Sequence, residues 1–372
     1  MNFLFTCGGT AGHINPALAI AGRIRELMPD AGILFVGAKG QMETRRVPEA
    51  GFEMETIDIT NIQRSFKPDK IVHNIKTVKN ILLSGRQSKK IIKNFKPDVA
   101  LGTGGYVCYP VLKAAHDLNI PCALHESNAV PGLTTRMLSS KVDRLLLGFS
   151  EGMNQYKSEV SITGTPVRVG FPACDDMHAK AKAGFLPDKP LVLSVWGSLG
   201  STHMNNMMAE FIPMLGEKPG FQLVHAVGER EYNDLLARLG GEGNLPENVV
   251  LKDYIHDMHN IMAAADLVLC RAGASTLSEV ELMGKPAVLV PSPNVTNNHQ
   301  EKNARVLERA GAAKVLLEGQ FDAQAFFALV NNLLADDKEL KRMSDKMKKL
   351  AVPDSADMIT DIVLGLAENN KC

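Results

Sequence analysis

The chain has 372 residues, too many for one ordinary core, and at roughly 150 residues per domain it is expected to fold as two. Hydrophobic residues make up 45% and charged residues 22%, with no biased tract, which excludes a disordered, collagen-like or disulfide-scaffold chain. Forty-one basic residues balance forty-one acidic ones, which argues against a general nucleic-acid binder and leaves room only for a local charged surface.

Short apolar runs alternate with longer amphipathic stretches along nearly the whole chain, the pattern of βαβ units and parallel sheets. Predicted strands in the first half are Asn2–Cys7, Ile33–Gly37, Val99–Gly102, Cys122–His125 and Leu145–Phe149. The segment from Gly164 to Pro172 then breaks the rhythm with two Gly and two Pro in nine residues, and marks the domain boundary. Beyond it the predicted strands are Leu191–Trp196, Gln222–Val227, Val249–Leu251, Leu267–Cys270, Ala287–Val290 and Lys314–Leu317. Six scattered cysteines, with no C-x-x-C pair, read as reduced thiols in a cytoplasmic protein. No apolar run approaches the roughly 18 residues of a membrane span, and the first residues lack the basic start of a signal peptide.

In open α/β sheets ligands sit beyond the carboxyl ends of the strands. Four glycine-rich turns fall there, at Gly8–Gly12, Gly102–Gly105, Gly197–Ser201 and Ala272–Ser275. The first lacks the dinucleotide fingerprint because Cys7 stands where a glycine is required, which disfavours a nicotinamide enzyme. Its backbone N–H groups can still face an anion, with His13 just inside the helix start, although such glycines can also serve close packing and such a histidine can be a surface residue. In the second half, Arg271–Glu279 opens a helix with small, hydroxyl-bearing residues that let a diphosphate reach the helix N-terminus. Glu279 lies where it could accept a ribose's two hydroxyls, or it completes a capping pattern with Thr276. The polar loop Pro291–Asn303 suits a sugar, or is a solvated loop with a helix cap. His125-Glu126-Ser127-Asn128 follows a strand and is not a zinc motif, since position 129 is Ala.

Gly8-Gly9-Thr10-Ala11-Gly12-His13, Gly102-x-Gly104-Gly105-Tyr106-Val107, His125-Glu126-Ser127-Asn128 and Pro131-Gly132-Leu133-Thr134 resemble the N-terminal half of the MurG family. These are the bacterial N-acetylglucosaminyltransferases of glycosyltransferase family 28 that make lipid II. Gly164-Thr165-Pro166-Val167-Arg168, Gly197-Ser198-Leu199-Gly200, Cys270–Glu279 and Asn297–Ala304 continue the resemblance in order, so it covers nearly the full length. It implies an α/β chain of GT-B architecture, two Rossmann-like doubly wound parallel-sheet domains facing an interdomain cleft. The expected division is 1–165 for an acceptor and membrane-facing domain, 166–352 for a UDP-GlcNAc domain, and 353–372 for a C-terminal helix packing back toward the first. The implied activity is a hexosyltransferase reaction that passes GlcNAc with inversion from UDP-GlcNAc to the MurNAc 4-hydroxyl of undecaprenyl-diphosphate-MurNAc-pentapeptide, lipid I.

Residue by residue, the resemblance implies His13 as the catalytic base. It implies donor contacts from Thr10, Ala11, Gly12, Asn128, Arg168, Ser198, Ile255 through its backbone, Ala274, Ser275, Thr276, Leu277, Ser278, Glu279 and Gln300. Tyr106, His125, Glu126, His299 and Asn303 are candidate sugar or acceptor contacts. Neither a metal nor another cofactor is expected, because helix N-termini and Arg168 can meet the leaving group's charge and no D-x-D pair is evident in these motifs. The sequence departs from the family at Ala11 and Trp196, where the family has Gly, and at Thr165 and Ser127, where it has Asn and Gln. Between Lys67 and Lys96, nine cations face one acid, Asp69, around an apolar stripe of Ile71, Val72, Ile75, Val78, Leu82 and Leu83. Such a stripe packs inward in a generic protein; beside a lipid-linked acceptor it implies peripheral attachment to anionic lipid on the cytoplasmic face of the cell membrane. Other readings of the same motifs are a UDP-GlcNAc 2-epimerase, another GT-B transferase, or a nucleotide-sugar-binding regulator without turnover.

Overall fold

Runs such as Phe3-Leu4-Phe5 send alternate side chains to opposite faces, so they suit strands covered on both sides. The computed structural model describes residues 1–59, 83–151, 153, 156–167, 179–197, 200–217 and 220–369. The chain divides into two units, Met1–Val169 with Asp354–Cys372, and Gly170–Pro353.

The first unit contains β1 (Asn2–Thr6), α1 (Ala11–Leu27), β2 (Gly32–Ala38), α2 (Glu43–Glu49) and β3 (Glu53–Ile57). It continues through α3 (83–95), β4 (Val99–Gly102), α4 (Cys108–Asp117), β5 (Cys122–Glu126), α5 (Leu133–Leu138), β6 (Arg144–Leu147) and β7 (Glu159–Ile162). Its described strands form one parallel sheet in the order β3-β2-β1-β4-β5-β6-β7. Phe3, Phe5 and Phe35 face α1, whereas Leu4, Leu34 and Val36 join Ile91, Ile92, Val111 and Leu112 of α3 and α4 on the other face.

The second unit contains α6 (Ala179–Lys182), β8 (Leu191–Val195), α7 (Thr202–Glu217), β9 (Gln222–Ala226), α8 (Tyr232–Arg238), β10 (Val249–Lys252) and α9 (Met258–Ala264). It continues through β11 (Leu267–Cys270), α10 (Ala274–Leu282), β12 (Ala287–Leu289), α11 (His299–Arg309), β13 (Ala313–Val315), α12 (Ala323–Leu334) and α13 (Asp337–Lys348). Its parallel sheet runs β10-β9-β8-β11-β12-β13. The final helix, α14 (Ser355–Asn369), belongs to the first unit, where Ile359, Val363 and Ala367, four residues apart, join Ile20 and Ile24 of α1 in one core.

Two strands escape sequence reading, β3 and β7, and both are edges of the first sheet. Glu53-Met54-Glu55-Thr56-Ile57 and Glu159-Val160-Ser161-Ile162 carry acids and leave most positions exposed or half-buried, as an edge strand does, so neither shows an apolar run. β6 ends at Leu147 and β13 at Val315, each two residues before the predicted end.

Trp196 is 2% exposed, and its ring lies 6.4 Å from that of Phe326, within a core it shares with Met204, Met208 and Phe211. The indole therefore fills the layer between the sheet and the α7–α12 helices, and its Nε1–H has no hydrogen-bond partner there. Trp196→Phe is expected to change unfolding free energy by no more than about 1 kcal/mol, because relief of an unpaired buried N–H offsets the lost volume. It should leave UDP affinity unchanged. A tenfold change in affinity by calorimetry would show that the indole shapes the donor pocket.

Of the basic segment, residues 67–82 lie outside the described residues. In α3, Ile91 and Ile92 pack inward, Arg86, Lys90 and Lys93 are exposed, and Lys89 pairs with Asp117 at 3.0 Å. Among the described residues no helix is long and apolar enough to cross a membrane.

Candidate functional site

Both sheets reverse their strand order beside the first strand of the unit, between β1 and β4 and between β8 and β11. Crevices form at such points, beyond the carboxyl ends of the strands.

In the first unit the β1–α1 and β4–α4 loops are pressed together. The Gly8 N–H donates to the Gly104 carbonyl at 3.3 Å, and a Cβ on Gly105, at φ +91°, would stand 2.4 Å from the Gly8 oxygen. Gly104 lies against the ring of His13, where a Cβ would come within 2.5 Å of Cδ2. Only glycines allow this approach. Thr10 caps α1 by position, without a side-chain bond to the helix backbone; its hydroxyl lies 3.4 Å from the His13 Nδ1, and the Thr103 hydroxyl donates to the His13 carbonyl at 2.7 Å.

His13 is half-buried, and its Nδ1 lies 2.9 Å from the Gly8 carbonyl oxygen. A carbonyl can only accept, so Nδ1 carries the proton of the neutral ring and the Nε2 lone pair is left for a substrate proton. Half-buried Tyr106 borders the same loop, its phenol raised above the ordinary value by burial and by the charge of Glu43, so it remains a donor at neutral pH.

His125 and Glu126 turn inward at the end of β5. His125 is fully buried, with Nε2 donating to the Gly164 carbonyl at 2.8 Å and Nδ1 3.3 Å from the Ser127 hydroxyl; burial holds its imidazole below the usual range. Glu126 accepts the backbone and side-chain N–H groups of Asn128 at 3.1 and 3.0 Å on one oxygen. Its other oxygen accepts the Gly132 N–H at 2.9 Å and the Thr135 hydroxyl at 2.6 Å. Through these bonds the two side chains, expected from sequence as candidate sugar or acceptor contacts, fix the chain that carries Asn128. Arg168 lies outside the described residues.

In the second unit a pocket of about 510 Å³ opens at the carboxyl ends of β8, β11 and β12. The β8–α7 loop supplies Gly197 and Gly200 to His203, the β11–α10 loop Arg271, Gly273 and Thr276, and the turn before α11 Ser292, Asn294 and Gln300. Gly200, at φ +76°, sits so close to β9 that a Cβ would stand 2.1 Å from the Val227 oxygen. α10 follows Gly273, which is extended and makes no side-chain cap, so the helix opens beside the pocket with the partial positive charge of its amino end.

Arg271 organises the floor. It is 9% exposed, donates hydrogen bonds to the Val290 carbonyl at 3.0 Å and the Ser201 hydroxyl at 2.7 Å, and forms an ion pair with the Glu318 carboxylate at 2.5 Å, tying four loops together. Sequence reading missed this pairing, as well as Glu43, because neither partner is adjacent in the chain.

Of the expected donor contacts, Thr276 and Gln300 line the pocket, and Gln300 accepts the Ser292 N–H at 2.9 Å. Ala274, Leu277 and Glu279 are buried within α10, and Ser275 and Ser278 are half-buried. Glu281, further along α10, is buried and its carboxyl is pushed up to about 8, so it stays protonated at neutral pH. Ile255, after β10, is 2% exposed and is not among the residues that line this pocket. His299 bonds the Thr296 carbonyl at 2.9 Å through Nδ1, and fully buried Asn303 donates to the Ala272 carbonyl at 3.2 Å, latching α11 to the β11–α10 loop. Asn297 and Asn298 both take left-handed backbone before α11, a conformation asparagine tolerates. Ser198 lies outside the described residues.

Behind the pocket, fully buried His225 connects Ser194 at 3.0 Å with Asn205 at 3.2 Å, and Asn205 donates to the Val227 carbonyl and to Glu231. Burial pushes this imidazole down to about 4. An unfolded histidine protonates near pH 6.5 whereas His225 stays neutral until about pH 4, so the unfolded chain binds the extra proton between those values. Its contribution is complete above about pH 6.5 and is lost toward pH 4 by up to about 1.4 kcal/mol per unit. Urea midpoints of His225→Gln should vary less over that window than those of the wild type. Parallel profiles would assign the acid sensitivity to other groups.

The model for the glycosyltransferase family 28 N-terminal domain matches residues 3–147, and that for the C-terminal domain matches 191–359. A relative from Acetivibrio thermocellus, named UDP-N-acetylglucosamine–N-acetylmuramyl-(pentapeptide) pyrophosphoryl-undecaprenol N-acetylglucosamine transferase, is 41% identical over 371 residues, 99% of each chain. The crystal structure of Acinetobacter baumannii MurG matches with a TM-score of 0.76 at 27% identity, over 98% of this chain and 99% of that one. A UDP-GlcNAc 2-epimerase from Neisseria meningitidis, solved with UDP-GlcNAc bound, matches at TM-score 0.64 and 14% identity over 98% of this chain and 100% of that one, a likeness of fold alone. With both family domains matched in order and a relative at this identity along its whole length, the chain belongs to glycosyltransferase family 28 and has the GT-B fold.

Proposed function

We propose that this enzyme transfers GlcNAc from UDP-GlcNAc to the MurNAc 4-hydroxyl of undecaprenyl-diphosphate-MurNAc-pentapeptide, forming lipid II. The observation that carries the reading is 41% identity, along 99% of both chains, to a relative named for that reaction. In the displacement, the acceptor oxygen forms its bond to the anomeric carbon as the bond to the UDP phosphate breaks, and configuration inverts. The Nε2 of His13 takes the hydroxyl proton. The uncapped start of α10, with Thr276, receives the diphosphate, and Arg168 adds positive charge as UDP departs.

Thr10, Ala11, Gly12 and Asn128 complete the donor contacts on the first unit, with Ser198, Gln300, Glu279 and the Ile255 backbone on the second. The histidine tautomer supports the base, and the pocket at α10 is of a size that holds a nucleotide. The basic segment 67–96 attaches the protein to anionic lipid on the cytoplasmic face of the membrane, where its acceptor resides; the exposed Arg86, Lys90 and Lys93 support this.

Radiolabelled UDP-GlcNAc incubated with a short-chain lipid I analogue tests the reading. Label in a disaccharide lipid is expected. ManNAc with free UDP would replace it by the epimerase reading, and binding without product by the regulator.

A further inference from the structure

Glu43 is the first residue of α2, a place where a glutamate is ordinarily exposed and faces solvent. Here it is fully buried and directed into the back of the glycine-rich β1–α1 loop. Its Oε1 accepts the Ala38 N–H at 3.0 Å, and its Oε2 accepts the Gly9 N–H at 3.0 Å. Two glycines make the room: a Cβ on Gly8 would stand 2.4 Å from Oε1, and one on Gly37 would stand 2.6 Å from Cγ. The Gly9 N–H and the Gly8 carbonyl belong to one trans peptide group, so they point in opposite directions. On the far side of that group the Gly8 carbonyl accepts the Nδ1 proton of His13 at 2.9 Å.

We propose that Glu43 is a positioning residue for His13 that acts through this single peptide group, its carboxylate holding the N–H while the carbonyl of the same peptide holds the imidazole. The inference rests on His13 being the base. Hydrogen bonds in series polarise one another, so a carboxylate on the N–H side enriches the carbonyl oxygen and strengthens its hold on Nδ1–H. That hold fixes the proton of the neutral ring on Nδ1, so that the lone pair is on Nε2, and stabilises the imidazolium after it has taken the acceptor's proton. The Gly8–Gly9 peptide is steadied further by the Gly8 N–H bond to Gly104.

The groups facing this relay are neutral at physiological pH. Burial and the charge of Glu43 push the thiols of Cys7 and Cys108 and the phenol of Tyr106 up, and burial holds His125, which faces His13, below the usual imidazole range with Glu126 behind it. The carboxylate of Glu43 is thus the anion placed to act on His13 through the loop.

Glu43→Gln keeps the shape and removes the charge. NMR titration of the His13 ring in the full-length variant should place its midpoint about one pH unit below that of the wild type. The acid limb of the kcat/KM profile should move in the same direction, with kcat about tenfold lower at neutral pH and UDP affinity unchanged. A second measurement needs no variant: in the wild-type chain the Gly9 amide resonance should move with the His13 midpoint. An unshifted His13 midpoint in folded Glu43→Gln, or a Gly9 resonance indifferent to that titration, would reduce Glu43 to a loop anchor. Neither readout requires turnover, so failure of the relay is distinguishable from failure of the transferase reading, which would appear as a wild-type protein that makes no disaccharide lipid.

Discussion

Turnover in His13→Ala should fall by about 10²–10⁴-fold, the usual loss when a positioned general base is removed, while calorimetric UDP affinity stays at the wild-type value. The two readouts separate because the pocket proposed for the nucleotide is built from the second unit's own loops, with Gly197, Gly200 to His203, Arg271 to Thr276 and Ser292 to Gln300, whereas His13 stands on α1 of the first. The alanine also removes the partner of the Gly8 carbonyl, but that oxygen lies at a loop from which Gly9 and Thr10 are exposed, so water can replace the imidazole and the fold should hold. Wild-type turnover in this variant would remove His13 from the mechanism. Undetectable UDP binding would instead mean that the two loops are coupled.

Arg271→Ala should cost about 3–5 kcal/mol of unfolding free energy, measured by urea titration, because it strands Glu318 as an uncompensated buried charge. The two side chains are 11% and 12% exposed, little enough that solvent cannot take over the missing partner. The same change releases Ser201 and the Val290 carbonyl, so the pocket floor loosens and UDP affinity should fall as well. Arg271→Met combined with Glu318→Leu should recover most of the stability, since buried pairs are commonly replaceable by apolar residues of similar size, yet leave donor affinity low. If the double variant bound UDP as the wild type does, Arg271 would be scaffolding alone.

What could be read in advance follows from where each signal resides. Strands covered on both faces, such as Leu191–Val195 and Leu267–Cys270, are continuous apolar runs and need no partner to be recognised. The edges β3 and β7 carry no such run. The turns that build both loop clusters were equally legible, because glycine and small residues must stand where backbone approaches backbone, as at Gly105 and Gly200. The direction of a polar side chain is not encoded in its neighbours. His125 and Glu126 follow a strand as an exposed pair would, but the strand continues through them and both turn inward. Glu43 and Glu318 sit in stretches with no motif, and their roles arise only when the chain brings the Gly9 amide and the Arg271 guanidinium to them. Trp196 is the converse: it stands beside a glycine-rich turn where the family has glycine, and its side chain leaves the turn for the core.

The placement of α14 bears on how a ribosome delivers this molecule. Ile359, Val363 and Ala367 complete a core whose other members are made first, so the amino-terminal unit waits for α14, whereas Gly170–Pro353 has a core of its own that needs none of it. A chain truncated after residue 353 and released should therefore yield, on limited proteolysis, a resistant fragment from Gly170–Pro353 and a nicked beginning, the reverse of the order in which they were translated.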